Sequence, residues 1–275
     1  MANKKVTHGA SAVVTGAGSG IGRAFAIEIA KRNGRVVCSD INLASAQETV
    51  RFIEDQGGIA CAVVCDVGDL AAVEALAKTA TEFLEEPVNL VINNAGIGVG
   101  GKNIGNFSIE DWRATMDVNL WGVIHGCHVF TPGLRALKRG GIINVASTAS
   151  FAAAPTMGPY NVTKAAVLAL TETLAAELSG SGVSVSALCP TFVKTNIVRD
   201  GRIEAGASKM AARLMEKIGI TPERVARQTL DALDRGQLYV LPQLDARVIW
   251  RLKRYMPSSY ASGAGMLNRL ATKFA

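Results

Sequence analysis

Tyr160 and Lys164 stand four residues apart in Tyr-Asn-Val-Thr-Lys, so in a helix a phenol and an ammonium share one face, one turn apart. On a protein surface such a pair contributes roughly a few tenths of a kcal/mol and nothing more. Its position gives it more weight. Ser147, thirteen residues earlier, follows Ile142-Ile143-Asn144-Val145-Ala146, an apolar run with the branched residues of a buried strand. The pair therefore opens a helix just past a strand end, the side of a parallel sheet on which ligands bind. A second set of residues points to the same end. Ala12-Val13-Val14 is another buried-strand pattern, and it breaks at Thr15-Gly16-Ala17-Gly18-Ser19-Gly20-Ile21-Gly22 before a helical pattern beginning at Arg23. Strand, glycine loop and helix in that order expose N–H groups at a helix start, where they favour an anionic ligand.

A dinucleotide pyrophosphate is such a ligand, and the next strand supports that reading. Arg35-Val36-Val37-Cys38-Ser39 closes on Asp40. An acid at this strand end is placed to accept hydrogen bonds from an adenosine ribose and to repel a 2′-phosphate, which favours NAD over NADP.

The elements that must position these residues alternate along the chain. Asn42 can cap a helix over Leu43 to Phe52 that ends near Gly57-Gly58, and Ile59 to Cys65 is a third strand. Asp66-Val67 ends it. Asp69 can cap a helix whose apolar stripe runs from Leu70 to Leu84, and Val88 to Asn93 is a fourth strand running into Asn94-Ala95-Gly96. Gly98 to Gly105 is flexible by composition. Ser108 with Asp111 resembles a capping box for a helix from about Ile109 toward Phe130, which Pro132 should end or kink. Gly140-Gly141 leads into the Ile142 strand, and Ser147 to Pro155 reads as a loop of small and apolar side chains. The helix from Tyr160 to Leu178 is apolar nearly all round, so one face should meet the sheet and another a partner subunit. Val183 to Cys189 is a sixth strand. Thr191 to Ile220 shows amphipathic pieces, notably Met210 to Ile218, but no strand, and suggests a lid. Thr221-Pro222-Glu223 starts a helix that runs to Arg235-Gly236, and Gln237 to Leu241 is a seventh strand. Strict alternation implies one doubly wound α/β domain with a parallel sheet and right-handed crossovers.

Composition bounds the answer. The 275 residues can bury one large core, and 49% hydrophobic with 5% aromatic residues means aliphatic packing between sheet and helices. Cys38, Cys61, Cys65, Cys127 and Cys189 are odd in number and sit mostly in strand-like runs, so buried free thiols in a reducing compartment are expected rather than disulfides. Neither Cys61 with Cys65 nor His125 with Cys127 and His128 has a partner set at zinc spacing, and no metal is expected. No stretch reads as a signal peptide or a membrane span, so a cytoplasmic location is expected. The net charge of +6 resides wholly in the last thirty residues: Arg247, Arg251, Lys253, Arg254, Arg269 and Lys273 stand there with no acid, while 23 bases and 23 acids balance over the rest. A neutral main body argues against nucleic acid as a partner.

In their order and spacing these residues resemble the short-chain dehydrogenase/reductase family over nearly the whole chain to about Leu241. Thr15 to Gly22 matches the family's cofactor loop, Asp66-Val67 its adenine contact, Asn93-Asn94-Ala95-Gly96 its sheet-stabilising motif, and Asn119, Ser147, Tyr160 and Lys164 its catalytic tetrad. The resemblance implies a Rossmann fold and NAD contacts from Gly16, Ser19, Gly20, Ile21, Asp40, Asp66, Val67, Asn93, Ala95, Gly96, Tyr160, Lys164, Pro190, Val193 and Thr195. It implies that Tyr160 takes the proton of an alcohol while hydride passes to NAD, that Ser147 holds the substrate oxygen, and that Asn119 anchors a water in a proton relay. Lys164 would favour the phenolate and also hold the ribose. One departure from the pattern is Pro190-Thr191, where the family has Pro-Gly, which implies a changed loop shape.

The substrate side rests on Ser147, Phe151, Met157, Tyr160 and Phe192, with Ser150, Met210, Leu214 and Met215 beside them, an apolar pocket suited to a bulky secondary alcohol or ketone. Residues 1–245 then form the dinucleotide-binding and catalytic domain with a lid at about 191–220, and 246–275 a basic tail. In that tail Val248, Ile249, Leu252 and Tyr255-Met256 interleave with the bases, as in an amphipathic helix on an anionic membrane surface or a basic helix packed on a neighbouring subunit. A homodimer or homotetramer is expected. The competing readings are an NADPH-dependent 3-oxoacyl reductase, which Asp40 and the absence of a base at Ser19 oppose, a cofactor sensor, which an intact tetrad opposes, and a membrane-peripheral binding protein resting on the tail alone.

Overall fold

In the computed structural model residues 5–198 and 201–273 are described. In chain order they form β1 (Ser11–Thr15), α1 (Gly20–Lys31), β2 (Arg35–Asp40), α2 (Leu43–Glu54), β3 (Ile59–Val64), α3 (Leu70–Leu84), β4 (Leu90–Asn93), β5 (Val99–Gly100), α4 (Ile109–Met116), α5 (Gly122–Leu137), β6 (Gly140–Val145) and α6 (Ala149–Ala152). There follow α7 (Gly158–Glu177), β7 (Val183–Leu188), β8 (Arg202–Ile203), α8 (Ala205–Ile218), α9 (Pro222–Asp234), β9 (Tyr239–Val240), α10 (Leu244–Tyr255) and α11 (Pro257–Lys273). Seven strands, all parallel, make one sheet in the order β3-β2-β1-β4-β6-β7-β9. The chain winds outward from β1 to β3, returns to β4, and winds outward again, so a crevice opens beyond the carboxyl ends of β1 and β4.

Side chains that alternate along each strand divide the core into two layers. Ala12, Val14, Val36, Cys38, Leu90 and Ile92 pack with Phe25 and Ile29 of α1, Ile53 of α2 and Val225, Leu230 and Leu233 of α9. Val13, Val37 and Val91 pack on the other face with Val73 and Leu76 of α3, Phe130 and Leu134 of α5 and Val167 and Leu174 of α7. The helix starts follow from their caps: Asn42, Asp69, Ser108 and Thr221 each accept a hydrogen bond from a backbone N–H of the first turn.

Several boundaries differ from the sequence reading. Helix α1 begins at Gly20, not Arg23, because Ser19 is extended, with φ −157°, and takes the N-cap position. Pro132 does not end its helix. The proline lacks one N–H, but Phe130 and Leu134 on either side are buried, and α5 continues to Leu137, where Lys138 with φ 51° closes it. The stretch read as a flexible 98–105 segment carries β5, which pairs with β8 inside the insertion read as strandless. The 147–155 loop contains the single turn α6, and the amphipathic helix of the insertion starts at Ala205. Between α4 and α5, Asp117–Trp121 forms a π-helical turn.

All five cysteines are free thiols. Burial pushes Cys38 and Cys189 up to about 12, and Cys61, Cys65 and Cys127 up to about 11, from an ordinary 9.0. Above pH 9 the unfolded chain therefore binds fewer protons than the native one, so the stability these thiols lend is complete below that pH and is lost as pH rises toward 11 to 12. The urea midpoint should fall across that window, at a slope of about 1.4 kcal/mol per proton and pH unit. A thiol reagent at pH 8 should label the native chain slowly and all five cysteines after denaturation; prompt labelling of all five in the native chain would contradict this packing.

Candidate active site

The cofactor end of the crevice is held by hydrogen bonds between the ends of β1 and β4. The Thr15 hydroxyl donates to the Ile92 carbonyl at 3.3 Å and accepts from the N–H groups of Asn94 and Ala95 at 3.0 and 3.1 Å. Asn94 in return donates its amide to the Thr15 carbonyl at 2.8 Å and the Gly16 carbonyl at 3.2 Å. The loop that leaves β1 and the helix start it joins have no room for a side chain at Gly18 or at Gly22. A Cβ on Gly22 would lie 2.0 Å from the Gly16 carbonyl oxygen, and one on Gly18 would lie 2.7 Å from Oδ2 of Asp40. Instead the Gly18 N–H donates to that Oδ2 at 2.9 Å, and the Asn42 N–H donates to Oδ1 at 2.9 Å, so the carboxylate is oriented at the end of β2.

Past β3, Asp66 accepts from the Gly68 N–H at 2.9 Å, and the carbonyl of Val67 lies 2.8 Å from Nδ1 of His125, which must therefore carry the proton. Arg23 lines the same end. Its guanidinium donates to the Gly18 carbonyl, to the Thr49 hydroxyl and to Glu48, so its charge is already paired.

At the other end β6 delivers Ser147, whose Oγ accepts from the Ala149 N–H at 3.1 Å. Tyr160 and Lys164 sit in the first two turns of α7, with Nζ of Lys164 5.8 Å from the phenol ring centroid. Lys164 is buried and donates to the Val145 carbonyl at 2.8 Å. Burial pushes its ammonium down to about 8, against an opposing pull from Cys189. Burial also raises the Tyr160 phenol above its ordinary value, while the Ser147 hydroxyl draws it down. The phenol is thus a proton donor at rest, beside an ammonium that titrates close to neutrality.

These two ends are walls of one cavity of about 890 Å³. It is lined by Gly16, Ser19, Gly20, Ile21, Asp40, Asp66, Val67, Ala95, Gly96, Ser147, Tyr160, Lys164, Pro190, Val193 and Thr195. Asn119 and Asn93 are brought close but not to the wall. Asn119 lies in the π-helical turn, and its amide embraces the backbone of Ile97, accepting from the N–H at 2.7 Å and donating to the carbonyl at 2.9 Å. Asn93 is buried and donates to Oδ1 of Asn144 at 2.8 Å, and Asn144 donates to the Thr171 hydroxyl at 3.1 Å, a chain that ties β4, β6 and α7 beneath the site.

On the substrate side the structure departs further from the sequence reading. Phe151 turns into the core, its ring edge-on to Trp250 at 5.0 Å. Phe192 and Met157 are half-buried and outside the cavity lining; the Phe192 carbonyl accepts from Gln243 at 2.9 Å. The Ser150 hydroxyl donates to the Lys164 carbonyl at 2.7 Å, and Met210 is exposed. The apolar groups that do line the cavity here include Ile97, Ile197 and Met215. Ile97 directly follows the Asn-Asn-Ala-Gly motif, a position that could have been read from sequence; Ile197 could not. Thr191 has no left-handed backbone: its N–H donates to Gln243 at 3.2 Å and its hydroxyl to Asp245 at 3.1 Å, which joins this loop to the start of α10.

The glycine cradle and the oriented Asp40 fit a dinucleotide, and the comparisons with known proteins agree. The chain is 33% identical over 263 residues to Probable oxidoreductase EphD of Mycobacterium tuberculosis, covering 91% of this chain and spanning 44% of that protein's length. It is 32% identical to 1-deoxy-11-beta-hydroxypentalenate dehydrogenase of Streptomyces exfoliatus, covering 90% of this chain and 91% of the relative. The crystal structure of a short chain dehydrogenase/reductase from Burkholderia phymatum in complex with NAD superposes with a TM-score of 0.85 at 34% identity, over 90% of this chain and 94% of that one. Residues 10–205 match the family described as short chain dehydrogenase, and the chain is a member of that family of oxidoreductases.

Proposed function

We propose that this oxidoreductase uses NAD to interconvert a bulky hydrophobic secondary alcohol and its ketone. One observation carries the reading: Ser147, Tyr160 and Lys164 face the same cavity that the glycine loop and Asp40 close at its other end. When bound, NAD would supply the hydride acceptor and a positive charge. The loop N–H groups from Gly16 to Ile21 would hold its phosphates, Asp40 the adenosine ribose, and Asp66 and Val67 the adenine. Ala95, Gly96, Pro190, Val193 and Thr195 would border the rest, with Tyr160 and Lys164 on the second ribose. NAD is favoured over NADP because Asp40 is a fixed negative charge and Arg23 is already engaged. The Burkholderia relative's NAD complex supports the same choice.

Tyr160 then takes the hydroxyl proton of the alcohol, and Ser147 hydrogen-bonds the oxygen it leaves. An ordinary phenol must be favoured as phenolate by about three units, or roughly 4 kcal/mol, to serve near neutrality, and the burial of Tyr160 adds to that requirement. The Lys164 ammonium beside it supplies part of that preference. Asn119 and Asn93 act as positioning residues, one through Ile97 and the other through Asn144. Ile97, Ile197 and Met215 make the substrate wall apolar, which suits a hydrophobic alcohol or ketone. The 191–220 insertion is the lid, since Met215 reaches the cavity while no residue of α8 is fully buried. Val162, Ala165 and Ala169 leave an exposed apolar stripe on α7 for a second subunit, and the free thiols suit a cytoplasmic setting.

Replacing Tyr160→Phe should lower kcat by about 10² to 10⁴, the contribution of a positioned general base, while NAD still binds. Turnover of secondary alcohols with NAD, followed as reduced cofactor, checks this; an active Tyr160→Phe enzyme would remove the proposed base. Replacing Asp40→Ala should raise KM for NAD by on the order of tenfold through loss of charge-assisted hydrogen bonds, and should raise the use of NADP relative to NAD. Steady-state kinetics with both cofactors read the ratio, and an unchanged preference would show that Asp40 does not select between them.

A further inference from the structure

Helix α10 has two faces. Ala246 is fully buried, and Ile249 and Trp250 pack on the core layer that holds α7. Trp250 lies against Phe151 and Tyr239, Arg254 stacks 4.4 Å over the Trp250 ring, and the Tyr239 hydroxyl donates to Glu172 on α7 at 2.8 Å. The opposite face is apolar and open. Leu244, Val248, Leu252 and Tyr255, at i, i+4, i+8 and i+11, are 74%, 47%, 45% and 82% exposed. Exposed Arg251 stands within this stripe, and exposed Arg247 and Arg254 border it. Asp245, on the other border, is the hydrogen-bond partner of Thr191. A stripe of large apolar side chains edged by arginines is the pattern of a helix lying in a membrane interface.

We infer that α10 seats this protein on an anionic phospholipid surface. The charge distribution selects that occupant. From 246 to 275 there are six bases and no acid, and the remainder of the chain carries no net charge, so the molecule's excess positive charge is concentrated in the segment that carries this face. A two-fold contact of the stripe with itself would also bring Arg251, which stands within the stripe, close to its own copy. An anionic leaflet attracts the arginines that stand in and beside the stripe, and the apolar stripe enters the headgroup region. Among the described residues no helix is long and apolar enough to cross a membrane, so the attachment is interfacial. It is also next to the site. The Tyr260 hydroxyl of α11 donates to the Ala152 carbonyl at 2.9 Å, Trp250 holds Phe151, and Gln243 and Asp245 hold Thr191, so α10 and α11 fix both loops that follow Ser147 and Pro190.

The test is flotation of the full chain with phosphatidylcholine vesicles, with and without phosphatidylglycerol, together with the size of the protein in solution. Binding is expected to the phosphatidylglycerol vesicles alone, released by raised salt. Arg251→Gln should weaken it roughly fivefold, equivalent to the ~1 kcal/mol of one base near such a surface. Leu252→Asp should abolish it, with thermal unfolding and NAD binding unchanged. Equal binding to both vesicles, no binding to either, or variants that bind as the parent does would overturn the inference. So would a change of oligomer size in Leu252→Asp while the parent ignores vesicles, which would assign the face to a second copy. The readout needs no turnover, so it is separate from the proposal about alcohol and NAD.

Discussion

The reversal of winding between β1 and β4 leaves a gap in the sheet's cover, and the Thr15 hydroxyl with the Asn94 amide holds that gap to a fixed width. Each uses most of its hydrogen-bonding capacity on backbone of the other strand end, in a region where an unpaired polar group would be costly. The glycine loop lies directly against this junction: a Cβ on Gly16 would come within 2.9 Å of the Ala95 backbone and of the Asn94 amide. Every later feature of the cavity is referred to this junction.

Beneath it a second polar chain continues the same task. Asn93, Asn144 and Thr171 link β4 to β6 and β6 to α7, and α7 carries Tyr160 and Lys164. Buried polar residues in an otherwise aliphatic core set one register among strands and helix where packing of Val, Ile and Leu alone would tolerate several. Lys164 is held in the same manner, its ammonium bonded to the Val145 carbonyl and its own carbonyl accepting from Ser150. The side chains proposed to carry the chemistry thus stand on elements held by partners on their neighbours.

The C-terminal helices belong to this arrangement. Thr191, where the family has glycine, is bound through its N–H and its hydroxyl to Gln243 and Asp245, so the loop after β7 keeps an ordinary backbone and gains a tie to α10. Trp250 and Tyr260 supply the matching ties to α6. The basic segment thereby braces the loops that follow Ser147 and Pro190 with one face and leaves its apolar, arginine-edged face outward.

Much of this was legible in the residues. Strand and helix periods, the caps at Asn42, Asp69, Ser108 and Thr221, the glycine loop and the Tyr160–Lys164 spacing are local properties, decided within about four residues along the chain, and a parallel sheet with helices on both faces follows from the alternation of strand and helix. What was not legible depends on residues far apart in sequence. The pairing of β5 with β8 joins Val99 to Arg202, Phe151 faces Trp250 instead of the cavity, and Asn119 turns its amide to Ile97 from a π-helical turn that no propensity signals. Pro132 stays inside α5 because buried neighbours on both sides hold the helix. Composition and spacing determined which groups are present and which element carries each. The direction in which a side chain points was settled only by tertiary packing, because it depends on which partner, a hundred residues away, reaches the space first.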